Sequence, residues 1–300
     1  MKVYDLIIVG GGAAGLLCAI EAKKLEVEDV LLIEKDNVLG GALSSANFNI
    51  SNELKITGQK YKDYLLQELD NYNINIKLNT MVLKIEGENE VLCTSPENGI
   101  ELIKGKKIIL ANGAKEGSRK AVDMVGSRCA GIYTVGMAKK IFAMENMIPG
   151  KKILIDGDDT LYMIQKQLSQ HDIEIVGIIS NKDNVNTFNL TKNIYKGYKI
   201  ASIEGEGRVN KVVLKNELNE EIFIDCDTVL FAKPMLSDGL VAMRSGIALN
   251  PATTGPKVDE NYMTSKDGVY ACGNGIFIHK YIEDIESECI DLINKLYNKN

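Results

Sequence analysis

The first spacing with chemical content is Gly10-x-Gly12-x-x-Gly15, placed between the apolar run Val3 to Val9 and the helical periodicity of Leu16 and Ile20. Glycines at that spacing permit a tight turn, close approach of backbone to a diphosphate, and close packing of the following helix on the strand. Amides at the N-terminus of that helix then face the negative phosphates. A second apolar strand, Val30 to Ile33, ends on Glu34, about 20 residues beyond Gly15, where a carboxylate would accept hydrogen bonds from a ribose. A glycine triple alone is a weak signal. Its context of strand, helix and acid predicts a dinucleotide site.

FAD and NAD share this fingerprint, and two further segments favour FAD. Asn37-Val38-Leu39-Gly40-Gly41 is a second glycine turn that would clear a path beside the ribityl chain. Gly268 to Asn274 gives a short strand and a glycine turn before the last helix, so that Asn274 would bond ribityl hydroxyls or a phosphate. The N-terminus of that helix would stabilise negative charge on reduced flavin.

The other reactive side chains are sparse. Six cysteines, Cys18, Cys93, Cys129, Cys226, Cys272 and Cys289, contain no Cys-x-x-Cys pair, which argues against a zinc ribbon, an iron–sulfur cluster and a dithiol centre. They read as buried free thiols of a reducing compartment, and no resident metal is expected. His171 reads as a surface residue between a helix and a strand.

The elements that must position these residues alternate. Beyond the first βαβ unit come a helix over Tyr61 to Asn71, a strand at 74–78 and a meander at 81–85, 91–94 and 100–103. A separate buried strand is expected at 107–111. A second βαβ pattern follows, with a strand at Lys152 to Ile155, a helix from Thr160 to Ser169 and a strand at Ile173 to Ile179. Strands at 211–214 and 228–231 continue it. The last helix sets Ile282, Ile285, Cys289 and Leu292 on one face. This predicts an α/β protein of two Rossmann-like, doubly wound parallel sheets.

With 300 residues, 27 of them glycine, 45% hydrophobic and 25% charged, the chain is long enough for two domains with real cores. The formal net charge of −6 supplies no overall attraction to nucleic acid or anionic lipid. Leu6 to Ile20 is the longest apolar run and is too short for a membrane span. No targeting signal is read, and the expected location is cytoplasmic.

The segments IIVGGGAAG (7–15), IEKDNVLGG (33–41), IILANGAKE (108–116) and GVYACGNG (268–275) resemble those of flavoproteins with two dinucleotide-binding domains. These are the thioredoxin reductase-like members of the pyridine nucleotide-disulfide oxidoreductase superfamily. The stretches at 130–155 and 253–265 are similar to flavoproteins found beside anaerobic glycerol-3-phosphate dehydrogenase and in opine and proline dehydrogenase complexes. The resemblance implies an FAD domain, 1–115 and 238–300, split by an inserted NAD(P)-type domain at 116–237. It places FAD phosphates on Gly10, Gly12, Ala13, Ala14 and Gly15, ribose on Glu34 beside Lys35, and adenine against the backbone of Val82. The flavin end would lie near Gly41, Ala42, Ala111, Gly113, Gly273 and Asn274. His279 falls where the family places a histidine before its last helix and is the one catalytic candidate.

Two departures shape the functional expectation. After the strand at 152–155 the family carries another glycine triple, whereas this chain reads Asp156-Gly157-Asp158-Asp159-Thr160-Leu161. Carboxylates facing a diphosphate at about 4 Å cost on the order of 4 kcal/mol per pair at an effective dielectric near 20. The next strand ends Ser180-Asn181, without a ribose-binding acid, and the segment before Ile200 is short for a full repeat. The inserted domain is therefore expected to be degenerate, the rival being an unusual nucleotide mode aided by a metal on the aspartates. Second, Ala42 to Phe48 lacks the Cys-x-His common in the family, which removes thiol–disulfide chemistry there. The leading expectation is an FAD-dependent oxidoreductase serving as the flavin subunit of a dehydrogenase. It would not use NAD(P)H directly, would join partner subunits that include iron–sulfur proteins, and would be oligomeric. The alternatives are a stand-alone NAD(P)H-dependent flavoprotein reductase and a non-catalytic FAD-binding scaffold or redox sensor.

Overall fold

The chain opens with β1 (Val3–Val9), α1 (Ala13–Lys24) and β2 (Val30–Ile33), then α2 (Gly58–Asp70) and β3 (Asn75–Lys77). A meander of β4 (Met81–Glu86), β5 (Glu90–Ser95) and β6 (Gly99–Leu110) leads to the short β7 (Ala114–Glu116). This is a computed structural model, and it describes residues 2–117, 126–182 and 189–298. Strand order in the first sheet is β3-β2-β1-β6-β5-β4, with β1 parallel to both β2 and β6. The segments expected at 100–103 and 107–111 are one strand, because β6 pairs antiparallel with β5 over its first half and parallel with β1 over its second. Side chains of β1 alternate between two cores. Leu6 and Ile8 pack with α1 residues such as Leu16 and Ile20, while Ile7 and Val9 pack with Val82, Val91 and Ile108. A parallel sheet covered on both faces needs such uninterrupted apolar strands.

The second stretch contains β8 (Ile132–Thr134), α3 (Val135–Met144), β9 (Lys152–Asp156), α4 (Gln165–Gln170), β10 (Glu174–Ile179) and the two-residue β11 (Ile194–Tyr195). An antiparallel set of β12 (Tyr198–Glu204), β13 (Lys211–Asn216) and β14 (Glu221–Asp225) follows, before β15 (Thr228–Phe231) and β16 (Met235–Ser237). Its parallel sheet has the order β11-β10-β9-β15-β8. The helix expected from Thr160 to Ser169 is cut down to a 3-10 turn at Leu161–Met163 and the six-residue α4.

The chain ends with α5 (Leu240–Arg244), β17 (Val269–Ala271) and α6 (Ile282–Tyr297). β17 pairs parallel with β6, and α6 buries Ile282, Ile285, Cys289 and Leu292 as the periodicity predicts. The molecule divides into two compact units, Met1–Lys115 with Leu236–Asn300, and Glu116–Met235. Two Rossmann-like α/β sheets thus form the framework. Among the described residues no helix is long and apolar enough to cross a membrane.

Candidate functional site

In the first unit the turn after β1 has the stereochemistry its glycines demand. Gly10 sits at φ +109°, and a Cβ there would run into the backbone of Ala111. A Cβ on Gly15 would lie 3.0 Å from the carbonyl carbon of Gly10 and closer still to its oxygen, so α1 rests directly on the turn. Gly12 is different: a Cβ there would meet no atom within 4 Å. The first intrahelical bond runs from the Leu16 N–H to the Gly12 carbonyl, leaving the amides of Ala13, Ala14 and Gly15 ahead of the ladder.

Glu34, 5% exposed, closes the turn from the next strand. Its Oε2 accepts the Gly11 N–H at 2.7 Å and its Oε1 the Asp36 N–H at 2.8 Å. An ionised carboxylate has about four acceptor positions, so capacity remains for ribose hydroxyls. Lys35 is solvent-exposed and paired with Asp36 at 3.3 Å. Thr80, two residues before Val82, donates its N–H to the Glu34 carbonyl.

The other predicted segments converge on this turn. The Gly40 N–H donates to the Gly11 carbonyl, and a Cβ on Gly41 would lie 3.1 Å from the Gly12 Cα; Ala42 follows, exposed. Ala111 donates its N–H to the Val9 carbonyl. Gly273, at φ +63°, abuts Ala14, and a Cβ on Gly275 would be 3.6 Å from the amide nitrogens of Asn112 and Gly113. Asn274 Oδ1 accepts the backbone N–H of His279 at 2.9 Å, which leaves its amide donors to meet a ligand. Around this junction Ser44 Oγ, Asn47 Oδ1, Asn112 Oδ1 and His279 Nδ1 are buried without a hydrogen-bond partner among the described residues. Orphaned polar atoms beside an open backbone cradle are what a polar dinucleotide would satisfy. FAD therefore fits these residues. One expectation is corrected: α6 starts at Ile282, well past the glycine turn, and carries Glu283 and Asp284 in its first turn. Glu283 is engaged by Ser51, Asn52 and Glu53, so the helix end is already met by negative charge.

Two features lay beyond sequence reading. Cys18, Cys272 and Cys289 bring their Sγ atoms within 4.8 Å of one another in the core. Thiol hydrogen bonds from Cys272 and Cys289 hold Cys18 below the ordinary thiol value. Glu288 of α6 is the other: its carboxyl accepts the Gly273 N–H and lies 3.0 Å from His279 Nε2. Burial pushes Glu288 up to about 7, with the Gly273 amide opposing, and burial pushes the His279 imidazole below its ordinary value. His171 is exposed and stacks on Phe142.

The corresponding turn of the second unit is closed. Gly157 has φ +94° and packs on the Ala232 backbone. The Asp159 and Thr160 amides both donate to the Ala232 carbonyl, at 2.9 and 3.4 Å. The three carboxylates, expected to face a ligand unneutralised, instead have partners. Asp156 pairs with Lys233 at 2.6 Å, while Lys182 bridges Asp158 and Asp159 at 2.9 and 3.0 Å. Ammonium groups thus stand where the metal-assisted alternative needs a cation.

Residues 4–141, a little under half the chain, match the pyridine nucleotide-disulphide oxidoreductase family. A ferredoxin–NADP reductase of Picrophilus torridus is 22% identical over 289 residues, covering 91% of this chain and 86% of that one. The thioredoxin reductase of T. acidophilum superposes with a TM-score of 0.78 at 20% identity, over 99% of both chains. The L-proline dehydrogenase of P. horikoshii gives 0.75 at 22% identity over the whole of this chain, which spans 56% of that structure. The family match, the two Rossmann-like sheets and the open first turn make this chain an FAD-dependent oxidoreductase.

Proposed function

We propose that this oxidoreductase exchanges electrons with a redox partner through bound FAD and does not draw them from NAD(P)H at its second turn. The observation that carries the reading is the closed turn at 156–161, whose Gly157, Asp159 and Thr160 amides and three carboxylates have partners within the chain. A helix N-terminus holds phosphate through unsatisfied amides, and α4, six residues long, follows a turn that has spent them. When bound, FAD supplies the ring that accepts and donates electrons. In this reading Gly10, Gly12 and the amides of Ala13, Ala14 and Gly15 receive the diphosphate. Glu34 takes the adenosine ribose with Lys35 at its rim, and the backbone at Val82 meets adenine. Gly41, Ala42, Ala111, Gly113, Gly273 and Asn274 line the ribityl and flavin portion, with His279 beside them. The partner we infer is a dehydrogenase subunit or an iron–sulfur protein.

The second reading is a stand-alone NAD(P)H-dependent flavoprotein reductase, and the comparisons favour it. The P. torridus relative, aligned over nearly the whole chain, is named for ferredoxin and NADP. Nucleotide would then enter by rearranging the second turn. Anaerobic mixing of the FAD-loaded chain with NADH or NADPH separates the two. The first reading expects the yellow absorbance to persist with either nucleotide and to bleach with dithionite. Rapid stoichiometric bleaching by a nucleotide overturns it and establishes the second.

A further inference from the structure

The glycine turn before α6 is tied to one buried imidazole–carboxyl pair. Glu288 accepts the Gly273 N–H with one oxygen and sits 3.0 Å from His279 Nε2 with the other, the two side chains being 13% and 8% exposed. The His279 backbone N–H in turn holds Asn274 Oδ1. The same turn touches Ala14 through Gly273 and approaches Asn112 and Gly113 through Gly275. His279 Nδ1 is buried and has no partner among the described residues, like Asn112 Oδ1 on the facing segment. A histidine kept for structure satisfies both ring nitrogens or leaves one in water. Here one nitrogen is fixed by Glu288 and the other is dry and unused.

We propose that Glu288 is a positioning residue that fixes the His279 ring so that Nδ1 hydrogen-bonds the flavin portion of bound FAD, the pair acting as a proton store. This rests on the FAD assignment above. In the resting state the pair shares one proton. When a reductant such as dithionite adds two electrons to the flavin, the ring would take one proton from solvent and keep one negative charge, and the pair would take a second proton from solvent. Negative charge added beside it favours the protonated form. Burial already moves both groups toward neutrality, lowering His279 and raising Glu288 to about 7, so their titrations are linked. The other titratable groups about the pair are Asp284 on α6, Cys272 after β17, Cys18 on α1 and Tyr262 ahead of β17, while Lys280 lies in solvent.

The chain has two histidines, so His171→Asn assigns the imidazole nitrogen resonances of His279. Spectra are recorded without FAD, with FAD and after dithionite reduction, and the flavin midpoint potential is measured against pH in wild type, Glu288→Gln and His279→Gln. FAD should move the His279 Nδ1 signal and leave His171 in place. The potential should fall more steeply with rising pH in wild type than in either variant. Unchanged His279 signals on FAD loading overturn the proposal even where a variant fails to fold. So does the same slope in Glu288→Gln as in wild type. Failure of the wild-type chain to take up FAD, seen in its absorbance beforehand, overturns the FAD assignment and this inference with it.

Discussion

Replacing Gly12 with alanine separates cofactor binding from folding. Gly12 has φ −82° and ψ −166°, ordinary backbone for any residue, and an added methyl would meet no protein atom within 4 Å. The unfolded chain loses freedom, so the cofactor-free protein should hold or gain about 0.4–1 kcal/mol. That corresponds to roughly 1–4 °C in Tm for a protein of this size. The same methyl stands where a diphosphate must approach the backbone. Loss of one charge-assisted amide–phosphate bond, about 1.5–3 kcal/mol, weakens FAD binding roughly 10- to 150-fold. Gly15→Ala is the opposite control, because its methyl drives into the Gly10 carbonyl. Overpacking of that kind costs about 1–3 kcal/mol or more before any cofactor is added. Thermal melts of the cofactor-free chains, paired with fluorescence titrations of FAD, read both quantities. Wild-type FAD affinity in Gly12→Ala would refute the assignment of that backbone to the cofactor, and a large drop in its Tm would refute the packing argument.

Other perturbations have equally defined outcomes. Glu34→Ala strips the acceptor from the Gly11 and Asp36 amides and should cost about 3 kcal/mol in denaturant unfolding at neutral pH. Lys233→Ala leaves Asp156, 8% exposed, without its cation and should cost about 2 kcal/mol, less than a fully buried pair because Lys233 reaches solvent. Burial already raises Asp156 above the ordinary carboxylate value. A raised folded pKa gives stability that is present below the unfolded value and lost as pH rises through the folded one. The Lys233→Ala deficit should therefore shrink as melts are taken from pH 8 down toward pH 4. The six cysteines are free and buried, so an alkylating thiol reagent should label the native chain slowly and all six on unfolding; prompt native labelling would contradict the core.

The first site is legible in the sequence because each glycine carries a stereochemical meaning that needs no neighbour to interpret. Gly10 must take a positive φ, Gly15 must lie against a carbonyl and Gly12 must leave room. The departure at Asp156 to Leu161 is legible for the same reason, since a motif's missing glycines are visible without a structure. What replaces them is not. The Ala232 carbonyl and Lys233 arrive from the two residues just beyond β15, and Lys182 from the loop after β10, so spacing alone gives unpaired acids where the fold gives ion pairs. The apolar pattern of β6 is interrupted at Lys104, Gly105 and Lys106, which makes one strand read as two. The strand continues because its partner changes from β5 to β1 there. Cys18 and Cys272 meet across nearly the entire chain, and Glu288 reads as one more polar position on an amphipathic helix until α6 is docked beside Gly273.

The difference between the two units comes down to where turn amides find their acceptors. In the first, Gly10 and Gly11 give their N–H groups to Ile33 and Glu34, which fixes the turn while leaving the amides of residues 13–15 outside the helical ladder. In the second, the Ala232 carbonyl takes two amides at the position where phosphate would sit, and Lys182 and Lys233 neutralise the acids around them. A diphosphate entering there must replace two internal hydrogen bonds, each worth about 0.5–1.5 kcal/mol net. It must also enter beside carboxylates whose lysine partners it would have to share. Releasing those two bonds alone lowers nucleotide affinity by about 5- to 150-fold relative to an open turn. Tight NADPH binding to this chain would consequently require the segment at 156–161 to reorganise. Amide hydrogen exchange would detect that, since the Asp159 and Thr160 N–H groups would lose or exchange their protection on titration. Exchange at those amides that is unmoved by NADPH, alongside a flavin that stays oxidised, is the joint result the closed turn requires.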